Sequence, residues 1–462
     1  MKRKEISTTE NTERTEVDAV ASGHSVVNTE DLPDGFQMTE LGPLPKEWRV
    51  VRLGEVAAVD WGNTALTKSL YKPSGYIAFS ATGPDGFLDF YEQSGEAVIV
   101  SAIGARCGKC FYASGQWTAI KNTIVIRGEQ IDNLFLYYYL DDEHKWPKSG
   151  SGQPFISIGK AKEVPIPLPP LPEQRSIAHV LRTVQRAKEA TEGVIATLKE
   201  LKKSLMQHLF TYGPVPVTER ERVPLQETEI GPIPAHWRVV RLGEVVEKRL
   251  LLIRGGFPQG QHNEVGNGVP HLRPFNITND GSLDLSQIKY IAPPSEDDPH
   301  WLLPNDVIFN NTNSEELVGK TALFDRNGRF VLSNHMTLLR ILEPNQVDAS
   351  WLSRQLHYFW YLGLYKSLCR RHVNQASISL ERLKGISIPI PPLDEQREIA
   401  RILQAVDAKI AAEQARRSAL EELFKSLLHE LMSGRIRVPN IVGGERSCDS
   451  APDADPLPES ED

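Results

Sequence analysis

The 462-residue sequence predicts an α+β protein in which two related α/β domains, in a pseudo-twofold arrangement, are separated by two long antiparallel helices that form a coiled coil. Three observations predict this architecture. The chain contains an internal repeat, each copy of the repeat ends in a long segment with helical heptad spacing, and the middle of each copy contains short strand-like runs.

The internal repeat consists of two pairs of matching blocks. TELGPLPKEWRVVRLGEV at residues 39–56 matches TEIGPIPAHWRVVRLGEV at 228–245, with 14 of 18 positions identical. Residues 153–184 match 375–406 at 16 of 32 positions, centred on IPLPPLPEQR and IPIPPLDEQR. Between these blocks the copies diverge. The matched ends therefore indicate a shared structural role or a common partner, and the middles indicate one fold that presents two different surfaces.

A long helix is predicted after each proline-rich block. Proline fixes φ and disfavours helix in the residue before it, so helices are expected only after the prolines, at 173–212 and 395–434. Apolar residues then recur at steps of three and four, which is the spacing of a coiled-coil seam. The predicted helix-pairing residues are Ile177, Val184, Val194, Leu198, Leu201, Leu205, Ile399, Leu403, Val406, Ile410, Leu420 and Leu427. The alternative, in which each helix lies only against its own domain, would leave much of this seam exposed.

The divergent middles have an α+β pattern. Strands are expected at 97–101, 123–126, 306–310, 321–324 and 331–341. The run LFLYYYL at 134–140 fits either a helix or a strand, and 350–368 predicts an aromatic-rich helix.

These elements divide the chain into seven segments. They are a polar tail at 1–38, a first domain at 39–172, a first long helix at 173–212, a linker at 213–227, a second domain at 228–394, a second long helix at 395–434 and an acidic tail at 435–462. We expect both tails to be disordered, because charged segments with few aromatic residues cannot bury enough apolar surface to fold.

The net charge of −8 is concentrated at the two ends of the chain. Residues 1–40 carry −5 and residues 439–462 carry −6, which leaves about +3 for residues 41–438. The central part is therefore mildly basic, and this balance permits nucleic-acid binding. No apolar run approaches membrane-spanning length and the charged N-terminus has no secretory pattern, so we expect a cytoplasmic protein with reduced cysteines.

No complete catalytic or metal-binding motif is found. VGKT at 318–321 lacks the upstream glycine of a phosphate-binding loop. Cys107 and Cys110 form one CxxC pair without a second pair, which argues against structural zinc. Glu143 and Lys145 resemble the ExK part of a nuclease motif, but the nearest Pro-Asp pair, Pro84-Asp85, lies almost 60 residues away in the sequence. The sequence therefore predicts a recognition protein that is not an enzyme and has no metal site.

Several phrases, in their order along the chain, resemble the specificity (S) subunit of Type I restriction-modification systems. They are GPLPKEWRVVRLGEV, DVIFNNTNSEELVGKTALF, VLSNHMTLLRI and the duplicated PPLxEQR, and the resemblance covers about residues 36–438. It implies two target-recognition domains, each of which reads one half of a split double-stranded DNA target. It also implies helices that dock two methyltransferase subunits, with motor-nuclease subunits completing the complex. S-adenosylmethionine, ATP and Mg²⁺ would belong to those partners.

We therefore expect DNA contacts from polar and basic loop residues, because side-chain amides pair with adenine edges while Arg and Lys pair with guanine. In the first domain the candidates are Arg106, Lys109, Lys121, Asn122, Ser149, Ser151 and Gln153. In the second they are Asn310, Asn311, Thr312, Lys320, Asn334, Arg370, Arg371, Asn374 and Gln375. Each of these is equally compatible with a turn former or a solvated charge. The alternative functions are a coiled-coil scaffold, or a reader fused to or partnering a different, Type II-like nuclease-methylase.

Overall fold

The computed structural model describes residues 32–150, 152–258, 260–373 and 375–438. They form two compact units. The first unit comprises the chain up to Lys188 together with the chain from Ala419 onward, and the second comprises Glu189–Ser418. Most of the two predicted tails, 1–31 and 439–462, lies outside the described residues.

The first unit is built from short strands and three short helices, followed by a long helix. The strands are β1 (Phe36–Thr39), β2 (Gly42–Pro45), β3 (Arg49–Arg52), β4 (Ala57–Trp61), β5 (Tyr76–Ser80), β6 (Gly83–Leu88), β7 (Gln93–Ser94), β8 (Ala97–Ser101), β9 (Cys110–Ala113), β10 (Gln116–Ala119), β11 (Thr123–Gly128) and β12 (Pro165–Leu168). The helices are α1 (Leu53–Val56), α2 (Asn133–Leu140), α3 (Ile158–Lys162) and the first part of the long helix α4 (Leu171–Tyr212), whose residues after Lys188 belong to the second unit.

The second unit repeats this plan. Its strands are β13 (Leu225–Gln226), β14 (Ile233–Pro234), β15 (Arg238–Arg241), β16 (Leu251–Gly255), β17 (His262–Asn263), β18 (Val269–Leu272), β19 (Lys289–Ile291), β20 (Asp306–Asn310), β21 (Thr312–Asn313), β22 (Thr321–Phe324), β23 (Val331–Leu332), β24 (Met336–Ile341), β25 (Arg370–Arg371), β26 (Ala376–Ser377) and β27 (Ser387–Ile390). Its helices are α5 (Leu242–Glu247), α6 (Ala349–Tyr361), α7 (Leu364–Leu368), α8 (Leu380–Lys384) and the long helix α9 (Leu393–Met432).

Both units contain a four-stranded sheet with the same order of strands. The order is β4-β11-β8-β9 in the first unit and β16-β24-β20-β22 in the second. A further four-stranded sheet, β6-β5-β10-β7 or β17-β19-β18-β23, lies in the divergent part of each unit. The two middles therefore share a fold although their sequences differ.

Two predicted elements of the second unit are interrupted in the structure. The single strand expected at 331–341 is wrong, because a turn in which the Met336 N–H donates to the Ser333 carbonyl, at 2.9 Å, moves the chain from one sheet to the other. The aromatic helix expected at 350–368 is divided into α6 and α7 at Gly363, whose φ of +75° favours glycine. In the first unit, 134–140 is helical and is capped by the carboxylate of Asp132.

The two matched blocks of each repeat lie side by side. Strand β3 of the opening block pairs antiparallel with β12, which leads into α4, and β15 pairs in the same way with β27, which leads into α9. The opening block also begins earlier than predicted. Gln37 and Gln226, at equivalent positions, donate to the carbonyls of Trp48 and Trp237 at 3.0 and 2.7 Å.

The glutamate of each PPLxEQR motif accepts a hydrogen bond from the tryptophan of the opening block. The indole N–H of Trp48 donates to Glu173 at 3.1 Å, and that of Trp237 donates to Glu395 at 2.9 Å. In the first unit Arg437, which follows α9, also forms an ion pair with Glu173 at 2.6 Å. The carboxylate therefore ties the opening block to the start of the long helix.

The glutamine of the same motif joins the long helix to the rest of the domain. The buried amide of Gln174 donates to the Pro169 carbonyl and accepts from the backbone N–H of Asp132, both at 2.8 Å. Gln396 accepts from the N–H of Asp348 at 2.8 Å and donates to the Pro391 carbonyl at 2.9 Å.

Asp132 and Asp348 are the residues that cap α2 and α6. One glutamine in each unit therefore sets where the first turn of the domain helix meets the long helix.

The long helices begin slightly before the predicted positions. Helix α4 starts at Leu171, so Pro172 lies in its first turn, where the missing N–H of proline costs no intrahelical hydrogen bond. Helix α9 starts at Leu393, directly after Pro392.

The two long helices pack antiparallel. In the first unit the start of α4 shares a core with the end of α9, and Lys188 pairs with Glu421 at 2.8 Å. In the second unit the end of α4 shares a core with the start of α9, and Lys202 pairs with Asp407 at 2.6 Å. From Lys188 to Lys202 the chain moves 14 residues forward along α4, while their partners, from Glu421 to Asp407, move 14 residues backward along α9.

The helix seam differs from the predicted one at two positions. Val194 and Leu201 were expected to pair, but they are 43% and 47% exposed, whereas Thr191 and Lys202 are buried. The heptad spacing favoured Val194 and Leu201 because they are apolar. The packed face of α4 instead includes Lys202, because its ammonium group forms an ion pair with Asp407 and donates to the Asp280 carbonyl. The other ten predicted pairing residues are buried or half-buried.

Equivalent positions of the two units carry different chemistry. In the second unit Asp407 forms ion pairs with both Lys202, at 2.6 Å, and Arg354 of α6, at 2.7 Å. The helix repeat, with its offset of 222, makes Lys202 equivalent to Phe424. Arg354 is likewise equivalent to Tyr138, since each lies six residues after its helix-capping aspartate. In the first unit Phe424 and Tyr138 form an edge-on aromatic pair with ring centroids 5.8 Å apart.

We expect Lys202→Met to lower the free energy of unfolding of the second unit by about 2 kcal/mol, because it leaves the half-buried Asp407 carboxylate with Arg354 alone and the Asp280 carbonyl without its donor. Urea unfolding measures this change. The matched control is Lys199→Met, since Lys199 is 44% exposed and lies 3.8 Å from its partner Asp280. The control is expected to cost less than about 1 kcal/mol. Equal losses in the two variants would contradict a structural role for the Lys202 ion pair.

Candidate nucleic-acid interface

In the first unit, two loops that contain predicted contact residues lie side by side. Ser149 and Phe155 exchange two backbone hydrogen bonds of 2.9 Å and form a narrow hairpin. The N–H of Gly104, in the loop after β8, donates to the Pro154 carbonyl of this hairpin at 2.9 Å. The structure thus brings Arg106 of the first loop and Gln153 of the second onto one connected surface.

The second unit has the same pair of loops at equivalent places. Strand β21, directly after β20, pairs with β26, which also pairs with β25 in a three-stranded sheet. This sheet joins Asn311 and Thr312 to the basic hairpin that contains Arg370 and Arg371. In both units the first loop follows a central strand of the main sheet, and the second overlaps the start of the matched block that continues into the long helix.

The predicted contact residues differ in their exposure. Those that are exposed are Arg106, Lys109, Lys121, Asn122, Gln153, Asn334, Arg370, Arg371 and Gln375. Ser149, Asn311 and Thr312 are half-buried, whereas Asn310 and Lys320 are buried. Ser151 and Asn374 lie outside the described residues.

Asn310 and Lys320 need correction as contact candidates. The Asn310 amide donates to the Leu317 carbonyl at 2.9 Å, and the Lys320 ammonium donates to the carbonyl of Ile277 inside the unit. Burial lowers the pKa of Lys320. Both residues occur in polar, loop-like sequence, but they lie at the end of one core strand and just before another, so neither presents its polar group to a duplex.

Two exposed candidates also have local structural roles. Asn122 has a φ of +68°, which is the left-handed conformation that asparagine tolerates in turns. Lys109 forms an ion pair with Asp141 at 2.8 Å. The structure therefore gives these two residues a turn-forming and a charge-pairing role, respectively.

Arg106 is positioned by a polar network that sequence reasoning missed. Its guanidinium donates to the Thr82 carbonyl at 3.0 Å, on the turn between β5 and β6. The carboxylate of Asp85, in the following strand β6, accepts hydrogen bonds from Tyr71 and Ser80, each at 2.8 Å, and also from Thr82 and Lys68.

The hydrogen bonds to Asp85 lower its pKa and so favour the ionised carboxylate. Burial alone would raise the pKa of Asp85, but the hydrogen bonds from Lys68, Thr82, Tyr71 and Ser80 outweigh it and lower the pKa to about 2. The available sequence signal was the cluster of Ser, Thr and Asp around Gly83, a composition typical of a side-chain-stabilised turn.

The basic hairpin of the second unit is anchored on its neighbouring loop. Arg371 forms an ion pair with Glu315 at 2.6 Å, and His372 lies 3.2 Å from the hydroxyl of Ser377. The N–H of His372 donates to the Gln375 carbonyl at 2.7 Å, which closes the turn. The hairpin therefore presents Arg370 on a short, internally hydrogen-bonded ribbon.

The two cysteines of the CxxC motif lie beneath the first loop. Cys107 and Cys110 are buried, and their thiols donate to the carbonyls of Ala102 and Leu140 at 3.3 and 3.2 Å. Burial raises the pKa of both thiols. Within the described ranges, no group of three or more His, Cys, Asp or Glu side chains is placed to hold a metal ion. No helix there is long and apolar enough to cross a membrane.

Comparisons with known proteins agree with this arrangement. The family model for the Type I restriction modification DNA specificity domain matches residues 45–200 and 234–422. The putative type I restriction enzyme MjaX specificity subunit of Methanocaldococcus jannaschii is 31% identical over 45% of this chain, which spans about half (48%) of that relative. The MjaVIII specificity subunit of the same organism is 26% identical, covering 86% of this chain and 95% of the relative.

A solved structure shares the fold. The S subunit of a Type-I restriction-modification system from M. genitalium superposes with a TM-score of 0.56 at 18% identity, covering 83% of this chain and 96% of that one.

We expect Asp85→Asn to lower the free energy of unfolding of the first unit by about 1 kcal/mol at pH 7, because a carboxylate with a lowered pKa stabilises the folded state above its unfolded pKa, and solvent screens part of this effect at an exposed residue. This stabilisation should be lost as the pH falls from about 4 to about 2, so the difference between wild type and variant should vanish there. Urea unfolding at several pH values measures it. Asp89→Asn, at an exposed position, should change stability by less than about 0.5 kcal/mol. A difference at Asp85 that persists at pH 2 would contradict the network.

Proposed function

Because the chain belongs to the family defined by the Type I restriction modification DNA specificity domain, we propose that it is the DNA sequence-specificity subunit of a Type I restriction-modification complex. In this proposal each unit reads one half of a bipartite double-stranded DNA target. The subunit itself is not an enzyme.

One observation carries the proposal. The two units hold the same pair of loops on the same sheet order, and most residues on these loops differ, although Gln153 and Gln375 are equivalent and identical. A repeated scaffold with different loop residues suits a protein that reads two different sequences with one docking geometry. A protein with one repeated ligand would need matching loops instead.

The loop residues provide suitable chemistry for reading bases. The first unit offers Arg106 and Gln153, and the second offers Arg370 and Gln375. Arginine can form two hydrogen bonds to guanine, and glutamine can do the same with adenine in the major groove. Basic side chains on these loops also favour the phosphate backbone.

The matched opening blocks support a repeated protein partner. WRVVRLGEV occurs once in each unit, and Arg49 and the equivalent Arg238 are both exposed. Two identical surfaces suit two copies of the same subunit. We assign these copies to two methyltransferase subunits, joined in the full complex by motor-nuclease subunits. S-adenosylmethionine, ATP and Mg²⁺ then act in the partners, and the complex works in the cytoplasm.

Co-purification and binding-site selection with the full chain test this function. We expect two methyltransferase subunits to co-purify, and the selected DNA to contain two blocks of defined sequence with an unspecified gap. A coiled-coil scaffold would select no sequence, and a reader fused to or partnering a Type II-like nuclease-methylase would bring cleavage activity within one chain or a different stoichiometry. Either result would overturn the proposal.

We expect the double variant Arg370→Ala and Arg371→Ala to weaken binding to the selected target by about tenfold or more, since each base contact contributes about 1–3 kcal/mol. The loss of sequence preference should be confined to one half of the target. Arg326→Ala with Arg329→Ala is the matched control, because both arginines are exposed on another loop of the same unit. Fluorescence anisotropy at constant salt measures the affinities. Equal losses in the two double variants would indicate a general charge effect and contradict specific contact.

A further inference from the structure

The turn of the basic hairpin carries an apolar side chain, which can neither pair with a phosphate group nor form a hydrogen bond with a base. Val373 follows Arg370, Arg371 and His372, and it is 99% exposed. Tight turns favour Gly, Asn, Asp or Ser, whereas a β-branched residue suits strands. Valine is therefore disfavoured at this position of the free protein for two reasons: it is a poor turn former, and its apolar side chain is exposed to water.

The surroundings of Val373 suit a polyanion. The hairpin strands carry Arg370 and Arg371, and the neighbouring strand β21 carries Thr312 and Asn313. A second strongly exposed valine of this unit, Val265 at 80%, has a different setting. It follows Glu264, whose carboxylate pairs with Lys289. The basic neighbourhood therefore distinguishes Val373 from an ordinary exposed valine.

The turn of the hairpin extends beyond the sheet that carries it. Strands β25 and β26 pair Arg370 with Ser377 and Arg371 with Ala376 in the three-stranded sheet β21-β26-β25, and Val373 lies beyond the last of these pairs, where the third strand does not continue. The major groove of B-DNA accepts a two-stranded β-ribbon, and within this groove thymine presents a C5-methyl group beside its O4 acceptor. A short branched side chain at the tip of such a ribbon can contact that methyl group, whereas it is too small to separate stacked bases as a wedge.

We propose that Val373 determines specificity by contacting the C5-methyl group of a thymine in the half of the target that the second unit reads. This inference rests on the proposed function. The arginines beside Val373 hold the hairpin against the DNA. The methyl groups of Val373 then contact the C5-methyl group of the thymine and shield it from water. Burial of apolar surface favours thymine over a pyrimidine that lacks the methyl group.

Deoxyuridine provides a direct probe, because it pairs like thymidine but lacks the C5-methyl group. With the full-length protein in its assembled complex, each thymidine of the selected target is replaced in turn by deoxyuridine, and the dissociation constant is measured. One position in the second half-site should lose about fourfold in affinity, as expected for one methyl group removed from a buried contact. In the Val373→Ala variant the same replacement should have no effect.

One control variant helps to separate the possible outcomes. Val265→Ala should retain the fourfold preference at that position, and both valines are exposed, so neither substitution should affect folding. Three results would overturn the inference while leaving bipartite binding intact. They are a second half-site that contains no thymine, an unchanged affinity at every replaced thymine, and a loss of affinity in the Val373→Ala variant as large as that in the wild type. Absence of sequence-selective binding altogether would instead overturn the proposed function.

Discussion

The whole structure depends on two buried glutamine amides, Gln174 and Gln396, at the start of the long helices. Each amide accepts from the N–H of the aspartate that caps a domain helix and donates to the carbonyl of a proline before the long helix. A buried amide that is satisfied on both sides permits one docking geometry, because any shift leaves polar groups unpaired in the interior. The adjacent glutamate adds the tryptophan of the opening block to the same junction. This explains why the two ends of each repeat match while the middles diverge.

The same constraint allows the loops to vary. Once the domain helix and the long helix are joined, the main sheet and its two neighbouring loops have defined positions, whatever residues the loops carry. The packing around the long helices is also free to differ, since one unit uses the aromatic pair Tyr138 and Phe424 where the other uses ion pairs of Asp407. Exchanging the helix segment without the domain would place a charged side chain of one cluster against an aromatic ring of the other, so each domain is matched to its own helix segments.

Sequence reasoning predicted the architecture well and the contact surface only in part. Repeat, proline and heptad patterns indicated both long helices, because these signals are local and periodic. The seam was misplaced at Val194 and Leu201 because hydrophobicity alone does not reveal that Lys202 has buried partners. Asn310 and Lys320 occur in loop-like sequence, yet they face the core, and their burial depends on strand pairing between distant segments. The hydrogen-bond network around Asp85 was not predicted either, because Lys68 and Tyr71 come close to Asp85 only when the sheet has formed.

Each glutamine fixes one unit's domain helix to that unit's segment of long helix. Binding-site selection with the full-length variants Gln174→Leu and Gln396→Leu tests it most directly. Leucine leaves the capping N–H and the proline carbonyl without their partner, so each variant should lose sequence information in one half of the target and retain it in the other. The two variants should affect opposite halves. If either variant weakened both halves equally, or if neither changed the selected sequence, the glutamine junctions would not be what positions the readers.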